Sequence, residues 1–242
     1  MNKIASTSSA YAVKSLDLWH TRLGHVNADS IKRLKRLNLI PKLSNMDFSK
    51  CEICVEAKFH KKQFKSIERQ TELLKLIHSD LGDFKNRMSR GGKKHSITFV
   101  DDYSHYTMVY LLSSKDEAEE MFIKYKAKVE NQRDKRIKRF RSNRGGEYDP
   151  TSLKNNCDAS GIIHERTAPY TPKQNGVAER KNRTLKNMMN AMLISSGLPD
   201  NMWKEAILST CHVLNRVPHN KLDKTPYELW KGNPPELNYF QI

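Results

Sequence analysis

From residue 73 onward, short runs rich in β-branched and aromatic residues alternate with amphipathic helical stretches, and their order restricts the chain to a few architectures. LLKLIHSDLGDF (73–84), KKHSITFVDDYS (93–104) and YTMVYLLSS (106–114) are each bounded by Gly or Ser and read as a strand followed by a hairpin-like pair. KDEAEEMFIKYKAKVEN (115–131) gathers Ala118, Met121, Phe122, Tyr125 and Val129 on one face, which predicts a helix. IKRFRSN (137–143) offers a strand, RGG a sharp turn, SLKNNCDASG (152–161) a short helix and IIHERTAP (162–169) a last strand. Helical stretches follow from Asn175 to about Ser195 and over 198–218. The order β-β-β-α-β-α-β-α-α implies an α/β fold in which a five-stranded sheet carries helices on its faces.

The region before this is different. Residues 1–14 are small and polar and read as a tail. Between Leu16 and Leu39, Ile31, Leu34 and Leu37 recur at helical spacing behind Asn27 as a cap, and Pro41 is expected to end the pattern. His20 and His25 have four residues between them, and Cys51 and Cys54 form a C-x-x-C pair. Two imidazoles and two thiolates are the ligand set of a closed tetrahedral Zn²⁺ site. The competing reading is surface histidines beside a redox pair, which needs no histidines at this spacing. A segment of about 50 residues also has little core of its own and needs a staple. The basic, weakly periodic 58–70 reads as a linker, so the expected division is 1–14 tail, 15–57 zinc-binding domain, 58–70 linker and 71–242 second domain.

A formal charge of +16 favours polyanions through counterion release, and nucleic acid is the first candidate partner. The basic run 124–141 is one candidate for tracking DNA without sequence preference. An anionic membrane is disfavoured because no basic stretch carries a large apolar face, and neither a spanning helix nor a signal peptide is visible. The reading is therefore a soluble intracellular protein. Cys157 and Cys211 stand alone and are expected to be buried, inert thiols.

Asp80 closes an apolar run, and Asn143 and Glu179 follow with thirty-five residues between the latter two. The phrases around them are LIHSDLGDF (76–84), FRSNRGGEY (140–148) and TAPYTPKQNGVAERKNRTL (167–185). They closely resemble the catalytic core of copia-type LTR retrotransposon integrases, and LWHTRLGH (18–25) resembles the zinc-binding pre-integrase module that precedes such cores. The resemblance runs from about residue 16 to the end. It implies an RNase H-like fold preceded by a small helical zinc-binding domain holding Zn²⁺ through His20, His25, Cys51 and Cys54. It also implies a catalytic site at Asp80, position 143 and Glu179 that holds a pair of Mg²⁺ or Mn²⁺ ions. Such a pair, about 3.5–4 Å apart, activates the nucleophile and neutralises the leaving oxygen of a phosphodiester. The family has Asp at the middle position, whereas this chain has Asn143, a neutral ligand. Asp101 and Asp102 are rival carboxylates, to which the resemblance gives a structural or hairpin role.

Helical geometry adds a DNA face without help from the family. Arg183 and Lys186 lie within about 40° of Glu179 on one helix face, with Lys173, Gln174 and Asn175 just before it. As a class, such proteins trim the 3′ ends of element cDNA and join them to target DNA, as oligomers in the nucleus. The expectation is therefore an integrase fragment, chemically impaired at position 143. The alternative is a noncatalytic nucleic-acid-binding protein derived from one.

Overall fold

The structure, a computed structural model, describes residues 15–41, 43, 47–48, 50–57, 72–84, 88–143, 148, 150–167, 175–218 and 223–238. The expected tail and linker, and Lys173 and Gln174, lie outside the described residues.

Three short helices come first: α1 (Leu16–Arg22), α2 (Ala28–Arg36) and α3 (Glu52–Ala57). Ser15 caps α1 by accepting from the Leu18 N–H, and Asn27 caps α2 by accepting from the Ser30 N–H at 2.8 Å. Asp29 in the first turn of α2 and Arg33, Lys35 and Arg36 in the last complement its dipole. The helix stops before Pro41 can act. Asn38 adopts a left-handed φ of 56°, and the Leu39 N–H turns back to the Leu34 carbonyl at 3.0 Å.

The rest is a sheet between two helical layers. Strands β1 (Ile77–Asp83), β2 (His95–Asp101), β3 (Thr107–Leu112), β4 (Arg139–Ser142) and β5 (Ile163–Arg166) stand in the order β3-β2-β1-β4-β5. β1 and β2 pair antiparallel, as do β2 and β3, while β1–β4 and β4–β5 are parallel, so the sheet is mixed. The helices are α4 (Ala118–Arg133), α5 (Pro150–Ala159), α6 (Gly176–Ser196), α7 (Trp203–Arg216) and α8 (Pro226–Lys231). Every residue of β2 is buried, because both faces of this strand are covered. Its Ile97 and Phe99 point to one layer, where Phe99 stacks on Tyr125 and Phe122 on Phe140, and Leu153 and Cys157 of α5 complete the cluster. The predicted face of α4 is the one buried there, through Ala118, Phe122, Tyr125 and Val129. The other layer is α6 and α7, whose Leu185, Met189, Leu193, Trp203 and Ile207 pack with Phe84.

The N-terminal helices are not a separate globule. Leu16, Trp19, Leu23, Ile31 and Leu34 share one apolar cluster with Met188 of α6, Val213 of α7, and Val217 and Leu237. Gly24 sits so close to α6 that a Cβ there would lie 2.4 Å from Met192 Cε. An ion pair between Arg33 and Asp223 at 2.8 Å spans the same junction. No described helix is long and apolar enough to cross a membrane.

Candidate metal centre and sheet-edge carboxylate site

His20 lies near the end of α1, His25 three residues beyond that helix in a left-handed turn opened by Gly24, Cys51 just before α3, and Cys54 in its first turn. Their ligand atoms all fall within 4.8 Å of one another. His25 Nδ1 is 3.1 Å from His20 Nε2, Cys54 Sγ is 3.2 Å from His20 Nε2, and Cys51 Sγ is 3.4 Å from His25 Nδ1. A tetrahedral ion about 2.0–2.3 Å from each ligand leaves ligand edges of about 3.3–3.8 Å, so the spacing matches a closed zinc site. His20 Nδ1 is 2.6 Å from the Val26 carbonyl, which fixes the ring with Nε2 toward the cluster. His20, His25 and Cys54 are buried. Four ligating side chains converging in a buried spot fit Zn²⁺.

Asp80 is in the middle of β1, opposite Thr98 of β2. What opens the site is the neighbouring strand: the β1–β4 pairing ends at His78 with Arg141, and Asn143 follows directly after β4. The Ser79 carbonyl therefore lacks a strand partner on that side, and Asn175 Nδ2 donates to it at 3.0 Å. Asn143 Nδ2 donates to Asp80 Oδ1 at 2.6 Å, and Asn143 Oδ1 accepts from Asn175 Nδ2 at 2.6 Å. On the other side Asn182 Nδ2 donates to Asp80 Oδ2 at 2.8 Å, while Thr98 Oγ1 donates to Asn182 Oδ1 at 2.5 Å. Glu179 is half-buried in the first turn of α6, where the helix dipole favours a carboxylate, and Asn182 lies one turn further on.

The sequence-predicted residues divide accordingly. Asp80 and Asn143 are in direct contact, and Glu179 enters on the same helix as Asn182. Asn175, expected at the DNA face, is 1 % exposed, and its amide bonds Ser79 and Asn143, so it is an internal residue of the site. Arg183 is exposed on α6, whereas Lys186 is half-buried with its ammonium 5.1 Å from the centre of the Phe84 ring. Asn182 and Thr98 escaped the sequence reading. The available signal was the three-residue spacing from Glu179 to Asn182, which places both on one helix face.

The donor set at the sheet edge fits a divalent cation poorly. Position 143 turns an amide N–H, and no anionic oxygen, toward Asp80, which can only accept when ionised. The rival carboxylates are structural. Asp101 is fully buried and accepts from the N–H groups of Leu74 and Ser104 and from the Ser104 hydroxyl. Burial pushes its carboxyl up against those bonds. Asp102 Oδ1 lies 2.9 Å from Nε2 of the buried His78. Cys211 is buried and its thiol is pushed up to about 12, while Cys157, also buried, is pushed up to about 11, consistent with inert thiols.

A family model described as the GAG-pre-integrase domain matches residues 1–59, and one for the integrase core domain matches residues 58–172. Among curated proteins, the chain is 36 % identical over 230 residues to the retrovirus-related Pol polyprotein from transposon TNT 1-94 of Nicotiana tabacum, covering 94 % of this chain and 17 % of that protein. It is 30 % identical over 228 residues to the Pol polyprotein from transposon RE1 of Arabidopsis thaliana, covering 93 % and 15 %. The chain thus spans about a sixth of the length of these relatives. Among solved structures, the simian T-cell lymphotropic virus intasome in complex with PP2A regulatory subunit B56 gamma contains a chain matching with a TM-score of 0.57 at 18 % identity, over 93 % of this chain and 78 % of that one. At that identity the match establishes the integrase-core, RNase H-like fold.

Proposed function

The chain joins a GAG-pre-integrase domain to an integrase core domain and is related to the retrovirus-related Pol polyproteins of plant copia-type transposons; on that premise we propose that it is the zinc-module and core segment of a retrotransposon integrase, impaired in DNA cleavage and joining. The segment binds DNA, Zn²⁺ through His20, His25, Cys51 and Cys54, and further copies of itself, and it works in the nucleus. Asp80, position 143 and Glu179 are the positions at which the class holds Mg²⁺ or Mn²⁺; here Asn143 turns its amide N–H to Asp80 and its oxygen to Asn175, which leaves the site poorly suited to the ion. Arg183 and Lys186, with Lys173 and Gln174, are the residues assigned to the phosphate backbone.

The observation that carries the impairment is the Asn143–Asp80 contact at 2.6 Å. Replacing an anionic oxygen by an amide removes a full charge where the chemistry requires it. A loss of about 4 kcal/mol of transition-state stabilisation slows the step roughly a thousandfold. The experiment is cleavage and joining of a DNA end in Mg²⁺ and Mn²⁺ by this protein and its Asn143→Asp variant. Activity confined to the variant is the expected result; equal rates would overturn the impairment. The second reading, a purely DNA-binding protein, is favoured by the same contact and predicts undiminished DNA affinity with silence from both proteins.

A further inference from the structure

Both oxygens of Asp80 are taken by neutral amide donors, Asn143 on one side and Asn182 on the other. Each donor is oriented in turn by a buried residue. Asn175, 1 % exposed, gives its N–H to Asn143 Oδ1 and to the Ser79 carbonyl, and Thr98, 0 % exposed, gives its hydroxyl to Asn182 Oδ1. The direction of the bonds is fixed at Asp80: a carboxylate only accepts, so Nδ2 of both Asn143 and Asn182 has to face it, which leaves their Oδ1 atoms to accept from Asn175 and Thr98.

We propose that Asn143, Asn175 and Asn182 form an amide clamp that holds Asp80 in the place of a divalent cation, with Asn175 and Asn182 as its positioning residues. This rests on the reading of the sheet edge as an impaired integrase site. A partly buried carboxylate needs charge or donors around it, because leaving it unmatched costs more than a typical hydrogen bond contributes. In this chain both carboxylate oxygens accept from amides, one at the end of β4 and one on α6. A cation entering the site would have to displace N–H groups that are locked from behind. With aspartate at position 143 the situation reverses. The Asn143 N–H is lost, two carboxylates face each other at hydrogen-bond distance, and an added cation relieves their repulsion. Asn182 and Asn175 donate equally well to either arrangement, so position 143 alone switches the site from self-sufficient to cation-dependent.

The test uses zinc-loaded protein, so that the His–Cys centre is saturated, and follows thermal unfolding with and without millimolar Mn²⁺. The wild type is expected to unfold at the same temperature in both, and to give no Mn²⁺ binding by electron paramagnetic resonance. Asn143→Asp is expected to unfold about 4–8 °C lower without Mn²⁺, a shift recovered when it is added. Asn182→Leu, which keeps the volume and removes the donor, is expected to lower the wild-type Tm with no recovery by Mn²⁺. A wild type stabilised by Mn²⁺ as much as the variant overturns the clamp, as does a variant that responds no more than the wild type. Should Asn182→Leu fail to fold, the resonance measurement on the wild type still decides. A wild type that binds Mn²⁺ yet cleaves no DNA would sink the clamp and leave the proposed function standing.

Discussion

Gly24→Ala tests whether the N-terminal helices are seated on α6 in solution. Gly24 has a φ of +62°, where an L-residue pays about 1–2 kcal/mol. The new Cβ would also come within 2.4 Å of Met192 Cε, the far end of a flexible side chain. Overpacking of this kind costs about 1–3 kcal/mol, at the lower end here because methionine has rotamers to spare. The expected total is about 2–4 kcal/mol. Gly161 is the control, with a φ of +66° and nothing within 4 Å of its would-be Cβ. Gly161→Ala carries the conformational part alone, about 1–2 kcal/mol. Urea unfolding of the zinc-loaded protein gives both values, and their difference is the contact with Met192. Adding Met192→Ala to Gly24→Ala should cancel that difference, apart from the separate cost of the lost thioether. If Gly24→Ala destabilises no more than Gly161→Ala, and Met192→Ala is merely additive with it, the helices are not packed on α6 and the shared cluster is refuted.

Cys54→Ser should abolish stoichiometric zinc and unfold the first three helices, because the binding energy of a structural zinc, about 10–16 kcal/mol in small domains, is folding energy; metal analysis and circular dichroism check this together. Trp203→Ala removes a fully buried ring stacked 4.2 Å from Phe84 and should cost about 3–5 kcal/mol by urea unfolding, whereas Ile163→Ala at an exposed position should stay within about 0.5 kcal/mol. Burial pushes the Glu165 carboxyl up, but hydrogen bonds from Arg141 and Arg139 outweigh it and hold the group below its ordinary value of 4.5. The stability it contributes is therefore complete above pH 4.5 and is lost as pH falls through the lowered value, so the gap in urea midpoint between wild type and Glu165→Gln should close on acidification below pH 4.5. Arg183→Ala should weaken DNA binding equally for unrelated sequences and reduce the salt slope by about 1, and an effect confined to one sequence would contradict a phosphate contact.

Periodicity carried the sheet and its helices because each element buries the face its pattern marks. The α4 stripe is the clearest instance, and the alternation in β2 resolves into Ile97 and Phe99 toward one layer and Thr98 toward the other. The convergence of His20, His25, Cys51 and Cys54 was legible because ligand chemistry restricts residue type as well as spacing. What was not legible depended on contacts far apart in sequence. Asn175 looked like part of a polar approach to DNA, yet the early end of β4 leaves the Ser79 carbonyl in need of a donor and draws that side chain inside. Asn182 and Thr98 are 84 residues apart and show their relation to Asp80 only once β2 and α6 cross. The end of α2 was misplaced for a local reason, since Asn38 adopts the left-handed turn before the proline is reached.

The apolar cluster shared by the first helices and α6–α7 bears on how such a chain can be divided. The two family models meet at residues 58–59, an inviting place to cut. A piece beginning there would present Met188, Val213, Val217 and Leu237 to water as one greasy patch, since Leu16, Trp19, Leu23, Ile31 and Leu34, which pack with them, all lie upstream. Such a piece would be sticky for reasons unrelated to DNA or to self-assembly, and its oligomers would report the wound rather than the native association.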